Sequence, residues 1–241
     1  VHKGKVTKPV AKVIRPPTIP ISDRLLIGVP LAVVGGYLDA YTYLFHGGVF
    51  ANAQTGNLVL LGISISRGAF SHAFSYLLPV LAFVAGVLIT ERMRIRSASL
   101  WILRWRHLVL FVEALLLFVI GFLPAAFPDN VVNVVVSFVC AMQVNSFRKL
   151  HDRAYATTMC TGNLRSATEA LSNSMHDYDP EEFDVFLRYG AILLAFCAGA
   201  VLGTVMTNLL AGKSAWICSL FLLICILIMK AKGSPEEQGD Q

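Results

Sequence analysis

Long apolar runs separated by short charged clusters dominate the chain. Leu25–Phe45 holds a single charged residue, Asp39, while Ala73–Thr90 and Ser214–Met229 hold none. Crossing the hydrocarbon core of a bilayer takes about 17–25 mostly apolar residues. The pattern therefore predicts membrane spans at about 25–45, 73–90, 107–123, 131–147, 187–210 and 214–229. Two other segments, Gly48–Ser66 and Tyr155–Ser172, are weakly hydrophobic and dense in Gly, Ala, Thr, Asn and Ser. They read as re-entrant or broken helices.

These two segments share a motif. Thr55-Gly56-Asn57-Leu58 in the first is matched by Thr161-Gly162-Asn163-Leu164 in the second, and Leu81–Gly86 is answered later by Leu194–Gly199. Sixteen residues before each Thr stands a polar residue in an apolar span, Asp39 and Asn145. The spacings point to an internal duplication; the two motifs stand seven residues further apart in the second copy, a difference the acidic stretch Met175–Asp184 absorbs. The first repeat is expected over 25–123 and the second over 131–229.

Charge sets the expected orientation, because Lys and Arg near span ends stay on the cytoplasmic side. The tail 1–24, the loop 91–106, residues 148–153 and the tail 230–241 carry the basic clusters, whereas 124–130 has no positive charge. All four basic regions fall on one side if the two weak segments dip in and return. The fold expected is thus an all-α membrane protein with six transmembrane helices plus two re-entrant or broken helices, in two inverted three-span repeats. Both termini are cytoplasmic, and the tail 1–24 is disordered or loosely attached. The rival arrangement has eight spans in two parallel halves.

Composition agrees. The 241 residues are 56% hydrophobic and 15% charged, with mean hydropathy +0.64. Soluble domains carry about 25% charged residues, so the composition argues against the alternative of a soluble all-helical protein. The net charge of +5 lies at span ends, which marks topology and gives no reason to expect a nucleic-acid partner. Five cysteines in apolar segments argue for free thiols against a disulfide framework.

The candidate chemistry sits on the repeated motif. Gly56 between Thr55 and Asn57 suits a turn, and Leu58–Ile65 a short helix whose N-terminus faces a cavity. Two such ends favour a small anion or a polar neutral solute. The plainer alternative is that T-G-N caps a packed broken helix. The candidate binding residues are Asp39, Gln54, Thr55, Gly56, Asn57, Asn145, Thr161, Gly162, Asn163 and Arg165, with Asn57 and Asn163 at facing tips. Arg165 directly follows the second motif and either borders the cavity or balances Asp39. Glu113 carries less weight. The six His are scattered, and no CxxC, nucleophile elbow or phosphate loop occurs. Neither an enzyme nor a cofactor or metal is expected.

Gly35-Gly36-Tyr37-Leu38-Asp39-Ala40, followed by Gly47-Gly48-Val49-Phe50-Ala51-Asn52-Ala53-Gln54-Thr55-Gly56-Asn57, resembles the YoaK family of multi-pass membrane proteins (domain of unknown function 1275). The resemblance extends over roughly residues 25–230. It implies a six-span membrane protein and no particular substrate. The function expected from the residues is a transporter or channel for a small anion or polar solute in the cell membrane, the inner membrane if the source is bacterial. The alternative is a membrane structural or regulatory protein without flux. The partners expected are the lipid bilayer and an unidentified small solute, and self-association into a homo-oligomer stays open.

Overall fold

A computed structural model of the chain describes residues 19–97, 102–124, 126–151 and 153–232. Eight helices carry them: α1 Leu25–Phe45, α2 Gln54–Ser66, α3 Phe70–Ser97, α4 Ile102–Ile120, α5 Asp129–Ser146, α6 Cys160–Asp177, α7 Pro180–Leu210 and α8 Ala215–Lys232. Single 3-10 turns precede α1 and α8, and a two-residue hairpin, β1 Lys149–Leu150 with β2 Arg153–Ala154, follows α5. Most of the expected tails, 1–18 and 233–241, lie outside the described residues. The end of the first tail is packed: Ile21–Asp23 form a buried turn held by Arg106, whose guanidinium reaches Asp23 at 2.8 Å. The expected loop 91–106 is mostly helix, since α3 runs to Ser97 and α4 starts at Ile102. Residues 98–101 lie outside the described residues.

Among the described residues, three stretches are long and apolar enough to cross a membrane, Leu25–Phe45, Phe70–Arg96 and Pro180–Lys232. The bundle's outside is apolar as well. Leu108, Phe111 and Leu115 on α4, Leu194, Val201 and Leu209 on α7, and Leu220 and Leu227 on α8 are exposed. An apolar perimeter of this extent needs lipid around it. α5 is less apolar because it is interior: Asn133, Ser137, Gln143 and Asn145 are all buried against neighbouring helices. The molecule is an all-helical membrane protein, and these four polar side chains of α5 point inward.

The helices exchange partners between the two halves of the chain. α1 packs chiefly on α7, and α3 chiefly on α5. Glycines bring each pair together. The Cα of Gly36 faces the Phe196 carbonyl and that of Gly199 faces the Val33 carbonyl, so closely that a Cβ would overlap either one. In the other pair, a Cβ on Gly86 would lie 2.5 Å from the Phe138 carbonyl oxygen. Small residues at helix contacts let backbones approach and gain dispersion contact, the main attraction available between helices in lipid.

Hydrogen bonds fix the helix directions. Asn133 Nδ2 donates to the His46 carbonyl at 2.8 Å and Gln143 Nε2 to the Leu31 carbonyl at 3.2 Å, so α1 and α5 run antiparallel. Trp216 Nε1 donates to the Phe118 carbonyl and Ser219 Oγ to the Ala114 carbonyl, so α4 and α8 are antiparallel too. One end of the bundle gathers basic residues: Arg106 on Asp23, Arg148 at 3.7 Å from Glu91, and Arg153 on Glu182. The His151 amide ties this end to the Asp23 carbonyl at 2.6 Å. The opposite end holds the His46–Asp129 pair at 2.8 Å and the Trp216 ring beside Phe122.

Candidate functional site

α2 has 13 residues, about 20 Å at helical rise, too short to cross. It begins beside the middle of α1 and leads into α3, whose far end is basic, so α2 runs toward the opposite end. α6 also begins near the middle of the bundle. It packs along α7 and ends at Asp177, next to the start of α7, at the basic end. The two helices leave the centre in opposite directions.

An extended segment precedes each one, and one asparagine holds each segment. Asn57 accepts from the Phe50 amide at 3.1 Å and donates to the Phe50 carbonyl at 2.7 Å. Asn163 repeats this on Ala156, accepting at 3.2 Å and donating at 2.6 Å. The carboxamide supplies a donor and an acceptor side by side, as this pairing requires. It satisfies both polar groups of a backbone unit that lipid could not. Gly56 and Gly162 lie inside the first helical turn, and neither has a positive φ. The turn expected at Gly56 is therefore displaced to the extended residues before Gln54.

Both extended segments converge on α1. The Asn52 amide donates to Asp39 Oδ1 at 2.7 Å, and Asn52 Nδ2 donates to the Gly35 carbonyl at 3.0 Å. From the other half, Thr157 Oγ1 accepts from Gln143 Nε2 at 3.0 Å, and Thr158 packs so near Gly35 that a Cβ there would be 2.9 Å from its methyl.

Between the segments lies a cavity of about 990 Å³. α1 lines it with Asp39, Ala40 and Tyr43, α2 with Gln54 and Thr55, α6 with Cys160, Thr161, Gly162 and Asn163, and α7 with Phe196, Ala200 and Thr204. Of the candidate residues, Asp39, Gln54, Thr55, Thr161, Gly162 and Asn163 thus share one space. Gly56 and Asn57 stand behind its wall. Asn145 is elsewhere, donating to Thr90 Oγ1 at 2.9 Å and tying α5 to α3 near the basic end. Arg165 is exposed on α6 and does not line the cavity. Asp39 is the one charged residue among those lining it.

Sequence reasoning missed Asn52 and Thr158 as wall residues, and the Tyr43–Phe50 ring pair, stacked at 4.6 Å. Asn52 stood inside the quoted G-G-V-F-A-N block, but Thr158 had no matching partner to draw attention to it. Glu113 is fully buried, and among the described residues neither of its carboxyl oxygens has a hydrogen-bond partner.

A family model described as a protein of unknown function, DUF1275, matches residues 27–228. The chain is similar to the UPF0700 transmembrane protein YoaK of Bacillus subtilis (strain 168), at 27% identity over 216 residues, covering 86% of this chain and 94% of that relative. No solved structure matches.

Proposed function

We propose, from the premise that this chain belongs to the DUF1275 family, that it is a transporter or channel for a small polar solute, with its site in the cavity between the two T-G-N helix starts. In this reading six helices span the membrane, α1, α3, α4, α5, α7 and α8. The halves 25–123 and 131–229 are inverted repeats, and both termini face the cytoplasm.

One observation carries the reading: two broken helices, leaving the centre in opposite directions, begin at one cavity that also holds a buried carboxylate. Broken helices at the interface of inverted repeats, with polar groups near the midplane, form a recurring transporter design. The antiparallel course of α1 and α5, the first helices of the two halves, supports the inversion. The gathering of basic residues at one end supports the orientation.

Proteoliposomes loaded with a mixture of inorganic anions, sugars, amino acids and amines test it, with efflux followed by mass spectrometry. Efflux of at least one solute is expected, together with its loss in a Thr55→Val/Thr161→Val double variant that still folds. Efflux equal to that of empty liposomes for every solute refutes it. The second reading, a structural or regulatory membrane protein without flux, draws on the use of Asn57 and Asn163 as internal ties, and it gains if the cavity proves inert.

A further inference from the structure

We infer that the solute is a small zwitterion, an ammonium and a carboxylate on one short carbon frame with an apolar substituent, as in an α-amino acid. The inference rests on the transport reading above and adds the chemical class of its solute.

The wall of the cavity offers opposite polarity in two places. On the α1 side stand acceptors. Asp39 contributes a carboxylate, and the neighbouring Asn52 Oδ1 is buried with no hydrogen-bond partner among the described residues. An ammonium, which has three donors and no acceptor, fits there. On the α6 side stand donors. α6 opens with no side-chain cap among the described residues, so the N–H groups of its first turn lack intrahelical partners and carry the positive end of the helix dipole. Cys160, Thr161 and Gly162 of that turn line the cavity. Beside them Thr158 is 3% exposed, lines the same space, and its hydroxyl has no partner among the described residues. A buried polar group left unpaired costs stability, so a hydroxyl kept in this state at a cavity wall points to a ligand that completes it. A carboxylate does so together with the helix N–H groups.

The rest of the wall mixes neutral polar side chains, among them Gln54, Thr55 and Thr204, with an aromatic part made of the stacked Tyr43 and Phe50 rings and Phe196. An anion alone would meet the Asp39 charge with nothing to offset it. A cation alone would leave the α6 start and the Thr158 hydroxyl unused. A zwitterion satisfies both, its ammonium at the acceptors beside α1 and its carboxylate at the donors of α6.

Binding to the purified full-length protein in nanodiscs tests this by thermal shift and calorimetry. The probes are the twenty standard L-α-amino acids, each beside its amine-only and acid-only analogue; for leucine these are isoamylamine and 4-methylpentanoate. At least one amino acid with an apolar side chain is expected to raise the apparent Tm by about 5 °C at saturating concentration, and its two analogues are not. Asp39→Asn should lose the response. Asp39 also holds the Asn52 loop, so Thr158→Val serves as the second variant: its ligand-free Tm stays the same or rises, and its affinity falls about tenfold. An analogue that binds as tightly as its parent amino acid overturns the zwitterion assignment, as does failure of every amino acid to bind. In either case the efflux assay on the solute mixture decides the transport reading separately. Full affinity in Thr158→Val overturns the place given to its hydroxyl.

Discussion

Asn57 and Asn163 make the same two hydrogen bonds in the two halves of the chain, each gripping both backbone groups of the residue seven positions earlier. Each carboxamide is thereby occupied within the protein. Both side chains are buried, at 0% and 3% exposure. Asn57→Leu and Asn163→Leu should each destabilise the fold by about 2–4 kcal/mol, because a buried amide and a buried carbonyl lose their partners together. Thermal unfolding in detergent checks this, and unchanged melting in either variant would mean that the extended segment is held by other contacts.

The glycine contacts make a paired prediction. Gly199→Ala and Gly86→Ala each place a methyl against the backbone of the facing helix and should cost about 1–3 kcal/mol through overpacking. Gly62 and Gly190 are helical with open space around them, so alanine there should be neutral or stabilise by up to about 1 kcal/mol. Equal effects at all four positions would contradict the close approach of α1 to α7 and of α3 to α5.

Glu113 lies inside the bundle with both carboxyl oxygens lacking hydrogen-bond partners among the described residues. Replacing such a group by a well-packed apolar side chain removes a desolvation cost and nothing that offsets it. Glu113→Met should therefore raise stability by about 1–3 kcal/mol, and Glu113→Gln should leave it close to that of the unaltered protein. A lower melting temperature in both would reveal a partner that the carboxyl loses.

At the end of the bundle away from the arginines, burial lowers the His46 imidazole from its ordinary value of 6.5, against an opposing pull from Asp129. The folded state thus takes up this proton less readily than the unfolded chain does. The contribution of His46 to stability is complete above about pH 6.5 and is lost as the pH falls through the lowered folded-state value. Melts between about pH 7.5 and about pH 5 should show a drop that is absent in His46→Gln. The same drop in that variant would assign it to another group.

Orientation is checked by cysteine labelling. In a background free of native cysteines, Lys149→Cys lies at the basic end, and an impermeant thiol reagent should reach it only after the cells are opened. Labelling in intact cells would turn the bundle over or restore the eight-span arrangement.

What the sequence revealed and what it hid have physical causes. The apolar helices were legible because lipid demands apolar surfaces, and residues such as those of Ala73–Thr90 leave no other reading. α5 was harder, since an interior helix can hold Asn133 and Gln143 and so dilutes the signal. The T-G-N pair marked two helix starts, but the turn was misjudged. Asn57 reaches back to Phe50, and no local pattern separates an Asn that ties backbone from one that meets a ligand. Arg165 stands off the cavity wall for a geometric reason: two positions beyond Asn163 is about 200° around a helix, which puts it on the face turned from the core. Thr158 and Asn52 needed the fold itself, because their nearness depends on how both segments meet α1.

The exchange of helices between halves also sets the order in which the protein can be completed. α1 emerges from the ribosome well before α7, yet the surface that receives Gly36 belongs to α7, which begins at Pro180. At about 5–20 residues per second, roughly 10 s of translation separates the two. During that interval α1 sits in the bilayer with its glycine face bare, and α3 waits likewise for α5. A chain cut short before α7 lacks the backbone against which Gly36 packs. The glycine faces of α1 and α3 are thus covered by helices made later, α7 and α5.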